Sequence, residues 1–477
     1  MGAQDVKQIE AEDLQQNGVD SSSGGQPEKN GLFHRVIAYL AAKVGIEAGV
    51  IREAGWSFGI KTTSTGLNFL ATVLLVRVLG AEGYGIYAYA YAWMMMLSMP
   101  AQSGLPDLIV RETARGVAAH RPDRVKGAWI WAGRVVAVLS LIIVLGAGPF
   151  LVAWQGGWHS SRGQTMAWAL ALVPLMALGN LRGAALRGMG QIVVGQLPEF
   201  VIRPGFFLLL LVGGMLGLGR PFSAPLAMGF QVAASLMAFL IGAWLLVQRT
   251  PPAVRQASPV VESRGWLVSS ITFALITGFS VVNNQIGTII LGMLEAPEKV
   301  GIFRVAAQVA TLAAFGLQAV NMVVAPRFAS LYAERKMDRL QQLATGSARI
   351  VLASSVLLTG IFLIAGRPFF QKVFGAEFNA AYAPLLILLA GQTVNAMAGS
   401  VGFLLNMTGH ERDTAKGMGI AVVSNLILNL VLVPRWGVEG AAAATAVSMA
   451  LWNGLLWWRV RQRLGINSLA FVSKKKK

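Results

Sequence analysis

The sequence contains no cysteine, which excludes disulfides, thiol catalysis and cysteine-ligated metals. Charged residues are also scarce, at 13% of the chain against roughly 25% in soluble domains. In their place, 55% of the residues are hydrophobic, and they come in long runs. Each run has about the 20 residues that a helix needs to cross a bilayer. The composition therefore excludes an ordinary soluble enzyme and predicts a multi-span membrane protein.

The basic residues do not indicate nucleic acid binding, although the net charge is +18. They lie in short segments between the apolar runs, whereas a nucleic acid surface gathers them on one face. Membrane topology explains this distribution, because lysine and arginine concentrate in the cytoplasmic loops of membrane proteins. We expect contact with membrane lipids and no nucleic acid partner.

Twelve apolar stretches are long enough to span a bilayer, which predicts an all-α integral membrane fold. The predicted spans are 56–79, 84–105, 127–152, 166–186, 193–217, 223–247, 266–292, 300–325, 347–368, 381–403, 414–434 and 438–458. Of the 40 lysines and arginines, 26 lie in the loops and tails on one side of these spans and 5 in the loops on the other. This bias predicts that both termini face the cytoplasm.

Composition also predicts how the chain is divided. The predicted segments are a disordered cytoplasmic tail (1–31), an amphipathic interfacial helix (32–54), an N-terminal six-helix bundle (55–247), a cytoplasmic linker (248–265), a C-terminal six-helix bundle (266–460) and a basic cytoplasmic tail (461–477). A plain soluble helix is the alternative for the second segment.

An internal repeat relates the two predicted bundles. An offset of 216 residues aligns 64–111 with 280–327 without a gap and gives ten identical pairs, Gly85/Gly301 among them. Spans 1 and 7 start on the same side, so the halves are parallel repeats about an axis along the membrane normal. Chance similarity between apolar helices is the alternative. We favour two six-helix bundles around a central cavity, the architecture of rocking transporters.

Each half carries a polar stripe along its first span. Spacings of three and four residues place its members on one helical face. The stripes are Lys61, Ser64, Asn68 and Thr72 in the first span, and Thr277, Ser280, Asn284 and Thr288 in the seventh. A face that stays polar through the bilayer is unsuited to lipid, so we predict that both stripes line the cavity. Hydrogen bonding between packed helices is the alternative.

Among the basic residues inside the spans, four are site candidates: Lys61, Arg134, Arg203 and Arg304. Such residues are costly in a membrane and are candidates for substrate binding, with snorkelling to the headgroups as the alternative. Glu199 precedes Arg203 by four residues, which suits a helical ion pair or a proton site. No other acidic residue lies well inside a span. This absence counts against a cation exporter and favours an anionic cargo that carries sugar hydroxyls.

No cofactor or metal is expected, because the four histidines are scattered and no phosphate-binding or metalloprotease motif occurs. Without a catalytic cluster, the chain is predicted not to be an enzyme.

Five stretches carry a family resemblance. They are LLVRVLGAEGYGIYAYA (74–90), GLPDLIVRETARG (104–116), LRGAALRGMGQ (181–191), FLLNMTGHERD (403–413) and WGVEGAAAATA (436–446). These stretches resemble the polysaccharide-biosynthesis flippases of the multidrug/oligosaccharidyl-lipid/polysaccharide exporter superfamily. The resemblance implies a V-shaped, MATE-like pair of six-helix bundles in a bacterial inner membrane.

The same resemblance implies a function. Such a protein would carry an undecaprenyl-pyrophosphate-linked oligosaccharide to the outer leaflet by alternating access, for exopolysaccharide, O-antigen or capsule assembly. By position, Lys61, Arg203 and Arg304 would engage the pyrophosphate. A polysaccharide polymerase and export machinery would be its partners. A multidrug antiporter of the same superfamily and a membrane polymerase or transferase are the alternatives.

Overall fold

The computed structural model describes residues 48–217 and 222–471. The predicted tail 1–31, most of the predicted interfacial helix 32–54 and the last six residues of the basic tail lie outside these ranges. Described residues 55–471 belong to one compact unit. Of the unit before it, the structure describes 48–54, the first turns of a helix. The described residues form helices and short connections and contain no strand.

Fourteen α-helices are numbered in chain order. They are α1 (Ala48–Gln102), α2 (Leu105–Ala118), α3 (Pro122–Trp154), α4 (Ser161–Gly188), α5 (Ile192–Leu197), α6 (Arg203–Gly217), α7 (Ala224–Arg249), α8 (Pro252–Gln256), α9 (Ser263–Leu294), α10 (Pro297–Ala333), α11 (Met337–Val373), α12 (Tyr382–Ala398), α13 (Val401–Met407) and α14 (Glu411–Leu464). A π-helical segment, Pro198–Ile202, joins α5 to α6.

Nine helical segments in the described ranges are long and apolar enough to cross a membrane. Two of these segments lie in α1 and α14, and each contains two predicted spans. The helices are broken at Gly80 (φ 66°) and Gly437 (φ 52°), where positive φ favours glycine. With α9, which contains the predicted span 266–292, these segments overlap each of the twelve predicted spans. The predicted all-α membrane fold is confirmed.

The connection between spans 2 and 3 contains the helix α2. Leu105, Leu108 and Ile109 of α2 are fully buried, while Arg115 on the same helix is exposed. Apolar residues at positions i, i+3 and i+4 form one face of an amphipathic helix. Charge counting alone does not reveal this periodicity.

The side chain of Glu112 on α2 is only 1% exposed and is surrounded by arginines. Arg111, Arg124 and Arg115 approach its carboxylate at 3.1, 3.1 and 3.5 Å. Arg124 also pairs at 3.0 Å with Glu262, which directly precedes α9. This network ties the first half of the chain to the segment that leads into the second half.

A helix of the first half crosses a helix of the second half near Gly80. We call this end of the protein the outer end, following the predicted orientation. A Cβ atom on Gly85 of α1 would overlap the carbonyl oxygen of Pro297 on α10. A Cβ on Gly301 would overlap the carbonyl oxygen of Ala81. The 216-residue offset relates Ala81 to Pro297 and Gly85 to Gly301, so the crossing has the symmetry of the repeat. Only glycine allows this approach of the two backbones.

The break in α1 beside this crossing is held by the second half of the chain. The backbone N–H of Ala81 donates to Oε2 of Glu377 at 3.0 Å. Nε of Arg77 donates to the carbonyl oxygen of Val373 at 2.8 Å. These bonds satisfy backbone groups near the break and link the halves at the outer end.

The Gly85–Gly301 crossing can be tested with Gly85→Val. The added side chain has no room against Pro297, and overpacking of this kind typically costs about 1–3 kcal/mol, so we expect the two helices to separate. Because the chain has no cysteine, Thr72→Cys provides a single label site near the crossing. Maleimide should label this cysteine faster in the Gly85→Val background in detergent. Gly133→Val is the control, since nothing lies within 4 Å of that glycine's Cβ position. Equal labelling rates in both backgrounds would contradict a closed crossing.

Candidate functional site: a basic cavity between the halves

A cavity of about 320 Å³ lies between the two halves. The first-span stripe contributes Ser64, Asn68 and Thr72 from α1. Arg203 enters the lining from α6, and Arg304 enters from α10. The structure therefore brings five of the predicted site residues together, with one arginine from each half.

The charged residues that line this cavity are both basic. Arg203 and Arg304 are accompanied by uncharged Gln231, Gln308 and Thr311, and no aspartate or glutamate of the described chain lines it. Arg304 has no carboxylate within ion-pair distance among the described residues. A low-dielectric cavity of this charge favours an anionic ligand with hydrogen-bonding groups.

An aromatic wall forms one side of the cavity. The ring of Tyr87 stacks on Tyr84, Tyr91 and Phe207, with centroid separations of 6.4, 6.1 and 6.4 Å and interplanar angles below 20°. Offset stacks of this kind are favourable and keep the rings in fixed positions. Sequence reasoning missed this wall, although tyrosines at 84, 87 and 91 have the spacing of one helical face.

A carboxylate and a second arginine lie beside Arg203. Oε1 of Glu199 is 3.0 Å from Nη2 of Arg182, and Oε2 is 3.9 Å from Nη1 of Arg203. Nη1 of Arg182 also donates to the carbonyl oxygens of Ala238 and Phe239 at 2.9 and 2.8 Å. The sequence analysis did not single out Arg182. Its own helix α4 continues to residue 188, so this arginine lies inside the bundle.

The π-helical segment determines where Glu199 and Arg203 lie on their helix. The backbone N–H of Arg203 bonds to the carbonyl oxygen of Pro198, five residues earlier. This wider turn changes the angular offset between the two side chains relative to an α-helix. Single π turns within α-helices occur frequently at functional sites.

Two predicted basic residues lie outside the cavity lining. Lys61 and Arg134 are both exposed. Arg134 shares its face of α3 with Val138 and Leu141, whose side chains are more than half exposed. An exposed apolar face of a membrane helix contacts lipid, so the position of Arg134 fits the snorkelling alternative.

The seventh-span stripe departs from the prediction that both stripes line one cavity. Thr277 lines a separate space of about 240 Å³, where its hydroxyl lies 3.4 Å from Asp107. Thr288 is fully buried, and Ser280 and Asn284 are not part of the central lining. The stripes differ because α9 packs against α2 and α14, whereas the first-span stripe faces the cavity.

The chain is similar to proteins of known family. The family model described as polysaccharide biosynthesis protein matches residues 50–332. The probable low-salt glycan biosynthesis flippase Agl15 of Haloferax volcanii is 25% identical over 81% of this chain and 78% of its own length. The probable flippase AglR of the same organism is 24% identical over 85% and 82%.

Solved structures share the fold. An inward-facing multidrug resistance MATE family transporter superposes with a TM-score of 0.69 at 16% identity, covering 84% of this chain and 94% of its own. The lipid II flippase MurJ, in an inward closed conformation, gives 0.66 at 13% identity, with 85% and 87% covered.

Two helical bundles around a polar cavity define a multi-pass membrane protein with the fold of the multidrug/oligosaccharidyl-lipid/polysaccharide exporter superfamily. The chain belongs to the polysaccharide biosynthesis protein family.

Gly242→Ala tests the buried ion pair. A Cβ at this position of α7 would overlap the guanidinium of Arg182, which would have to leave Glu199. Breaking a buried pair typically costs about 3–5 kcal/mol, so we expect a clearly lower thermal unfolding temperature in detergent. Gly146→Ala, where nothing lies within 4 Å, should unfold close to wild type. If both variants are equally stable, the ion pair does not form as described.

Proposed function

We propose that the protein is a flippase that carries an undecaprenyl-pyrophosphate-linked oligosaccharide repeat unit from the inner to the outer leaflet. The product would supply exopolysaccharide, O-antigen or capsule assembly. The observation that carries this proposal is the central cavity, which is lined by Arg203 and Arg304 and by no carboxylate of the described residues.

The chemistry of the lining matches the two parts of such a substrate. Guanidinium groups bind phosphate oxygens in a bidentate, charge-assisted manner, so the arginines suit the pyrophosphate. Side chains with hydroxyl and amide groups, including Asn68, Gln231 and Gln308, can bond sugar hydroxyls. A cationic drug would meet two positive charges in this cavity, which disfavours the multidrug alternative.

The names of the relatives support the proposed flippase activity. Agl15 is named as a probable flippase of glycan biosynthesis and AglR as a probable flippase, and the structural neighbour MurJ is titled a lipid II flippase. We extend the flippase activity to this chain because its cavity carries charges suited to a lipid-linked anion.

Alternating access is the proposed mechanism. The cavity lies between the halves, and the Gly85–Gly301 crossing is a contact that an outward-open state would have to release. The fold of the neighbouring MATE transporters has been solved in inward-facing and outward-facing conformations. We place the protein in a bacterial inner membrane with cytoplasmic termini, beside a polysaccharide polymerase and export machinery as partners.

The proposal predicts that Arg203→Gln and Arg304→Gln each impair export. Each loses a charge that would pair with the pyrophosphate, and truncating one partner of a buried charged pair costs about 2–5 kcal/mol. Surface polysaccharide and lipid-linked precursors are measured in cells whose own gene is replaced by the variant. We expect less polymer and accumulated precursor at equal protein level.

Arg134→Gln is the matched control, because this arginine is exposed on α3 outside the cavity. It should export as the wild type does. Normal export by an Arg203→Gln/Arg304→Gln double variant would refute the proposal. Intact polymer with new sensitivity to cationic drugs in a deletion strain would favour the antiporter.

A further inference from the structure

Arg182 is the most enclosed arginine near the cavity, but it is not part of the cavity lining. Its side chain is 4% exposed, and its guanidinium is bonded to Glu199 and to the carbonyl oxygens of Ala238 and Phe239. A guanidinium with these three acceptors, closed off from the cavity, cannot bind a ligand there. Its role has to be exerted through a neighbour.

That neighbour is Glu199, which lies between two arginines of different function. It is bonded to Arg182 at 3.0 Å, while its other oxygen lies 3.9 Å from Arg203, beyond hydrogen-bond length. Arg203 reaches the cavity and Glu199 does not appear in its lining. Two cations therefore share one carboxylate, and the hydrogen bond goes to the arginine that is remote from the ligand.

The surroundings of the ion pair are shaped to hold it. A Cβ on Gly242 would overlap the guanidinium of Arg182, and a Cβ on Gly179 would overlap Oε1 of Glu199. Two different helices, α7 and α4, thus leave side-chain space for the pair. Glu199 and Arg203 are an i, i+4 pair next to a π-helical turn, and their closest approach of 3.9 Å is an ion-pair contact without a hydrogen bond.

We propose that Arg182 is a positioning residue that keeps Arg203 available to the anionic group of the substrate. By holding Glu199, it prevents that carboxylate from forming a hydrogen-bonded ion pair with Arg203. This inference rests on the proposed function, because it assumes that Arg203 binds the pyrophosphate.

Under this inference, removing Arg182 weakens ligand binding, whereas removing Glu199 does not weaken it. Without Arg182, Glu199 is a buried carboxylate with one remaining cation within reach, and it would close the short gap to Arg203. The cavity would then lose one of its two positive charges. Without Glu199, Arg203 has no competitor and keeps its charge for the ligand. Removing both should therefore restore binding, which a purely structural role of Arg182 does not predict.

The test measures binding of undecaprenyl pyrophosphate to purified full-length protein in detergent by native mass spectrometry. We expect Arg182→Met to bind at least about tenfold more weakly than wild type, as expected when a charge contact is quenched. Glu199→Gln should bind as well as wild type or more tightly. The Arg182→Met/Glu199→Gln double variant should return to within about threefold of wild type. Thermal unfolding of every variant monitors folding.

Arg203→Gln separates failure of this inference from failure of the proposed function. If Arg203→Gln binds like wild type, the proposed role of Arg203 is wrong and the inference fails with it. If Arg203→Gln binds weakly while Arg182→Met binds like wild type, only the inference is overturned. Equal weakness of Arg182→Met and the double variant would also overturn it, because Arg182 would then be structural. If Arg182→Met does not fold, the folded double variant is compared with Glu199→Gln instead. Weaker binding by the double variant than by Glu199→Gln would then overturn the inference.

Discussion

Hydrocarbon cannot hydrogen-bond, and this constraint governs the whole structure. Each polar group within the bilayer has to be satisfied inside the protein or face an internal polar space. The spanning segments are therefore helices, and the polar residues of α1 gather at the cavity. Arg182 obeys the same constraint through its bonds to a carboxylate and two carbonyl oxygens. The polar lining of the cavity and the Arg182–Glu199 pair thus lie between helices.

The repeat supplies the second organising element. Because the halves are related by an offset of 216 residues, a glycine in one half meets its own counterpart in the other at the Gly85–Gly301 crossing. The symmetry ends inside the bundle. The stripe of α1 faces the central cavity, whereas Thr288 in the matching stripe is fully buried. An internal repeat can thus preserve the contact between the halves while only one of the two matching stripes faces the cavity.

The charged residues near the cavity form two groups: arginines that line the cavity and an ion pair that lies behind the lining. Arg203 and Arg304 line the cavity from opposite halves, so a bound anion would interact with both halves together. Arg182 and Glu199 lie behind the wall and neutralise each other. A buried ion pair is weak evidence for stability alone, since desolvation offsets much of the Coulomb energy. Because the Arg182–Glu199 pair lies beside Arg203, we assign it the role of keeping Arg203 available to the ligand.

The sequence by itself indicated the helical membrane class, the predicted spans, the family resemblance and the choice of Arg203 and Arg304 as candidate site residues. These follow from run length, repeat offset and the cost of charge in lipid, all of which are local or periodic properties. Tertiary structure alone decided that Arg182 meets Glu199, that Tyr87 of α1 stacks on Phe207 and that the stripe of α9 turns away from the cavity. Those outcomes depend on which helices pack together and how each is rotated. Hydropathy does not encode that rotation, because lipid and a helix neighbour are equally apolar.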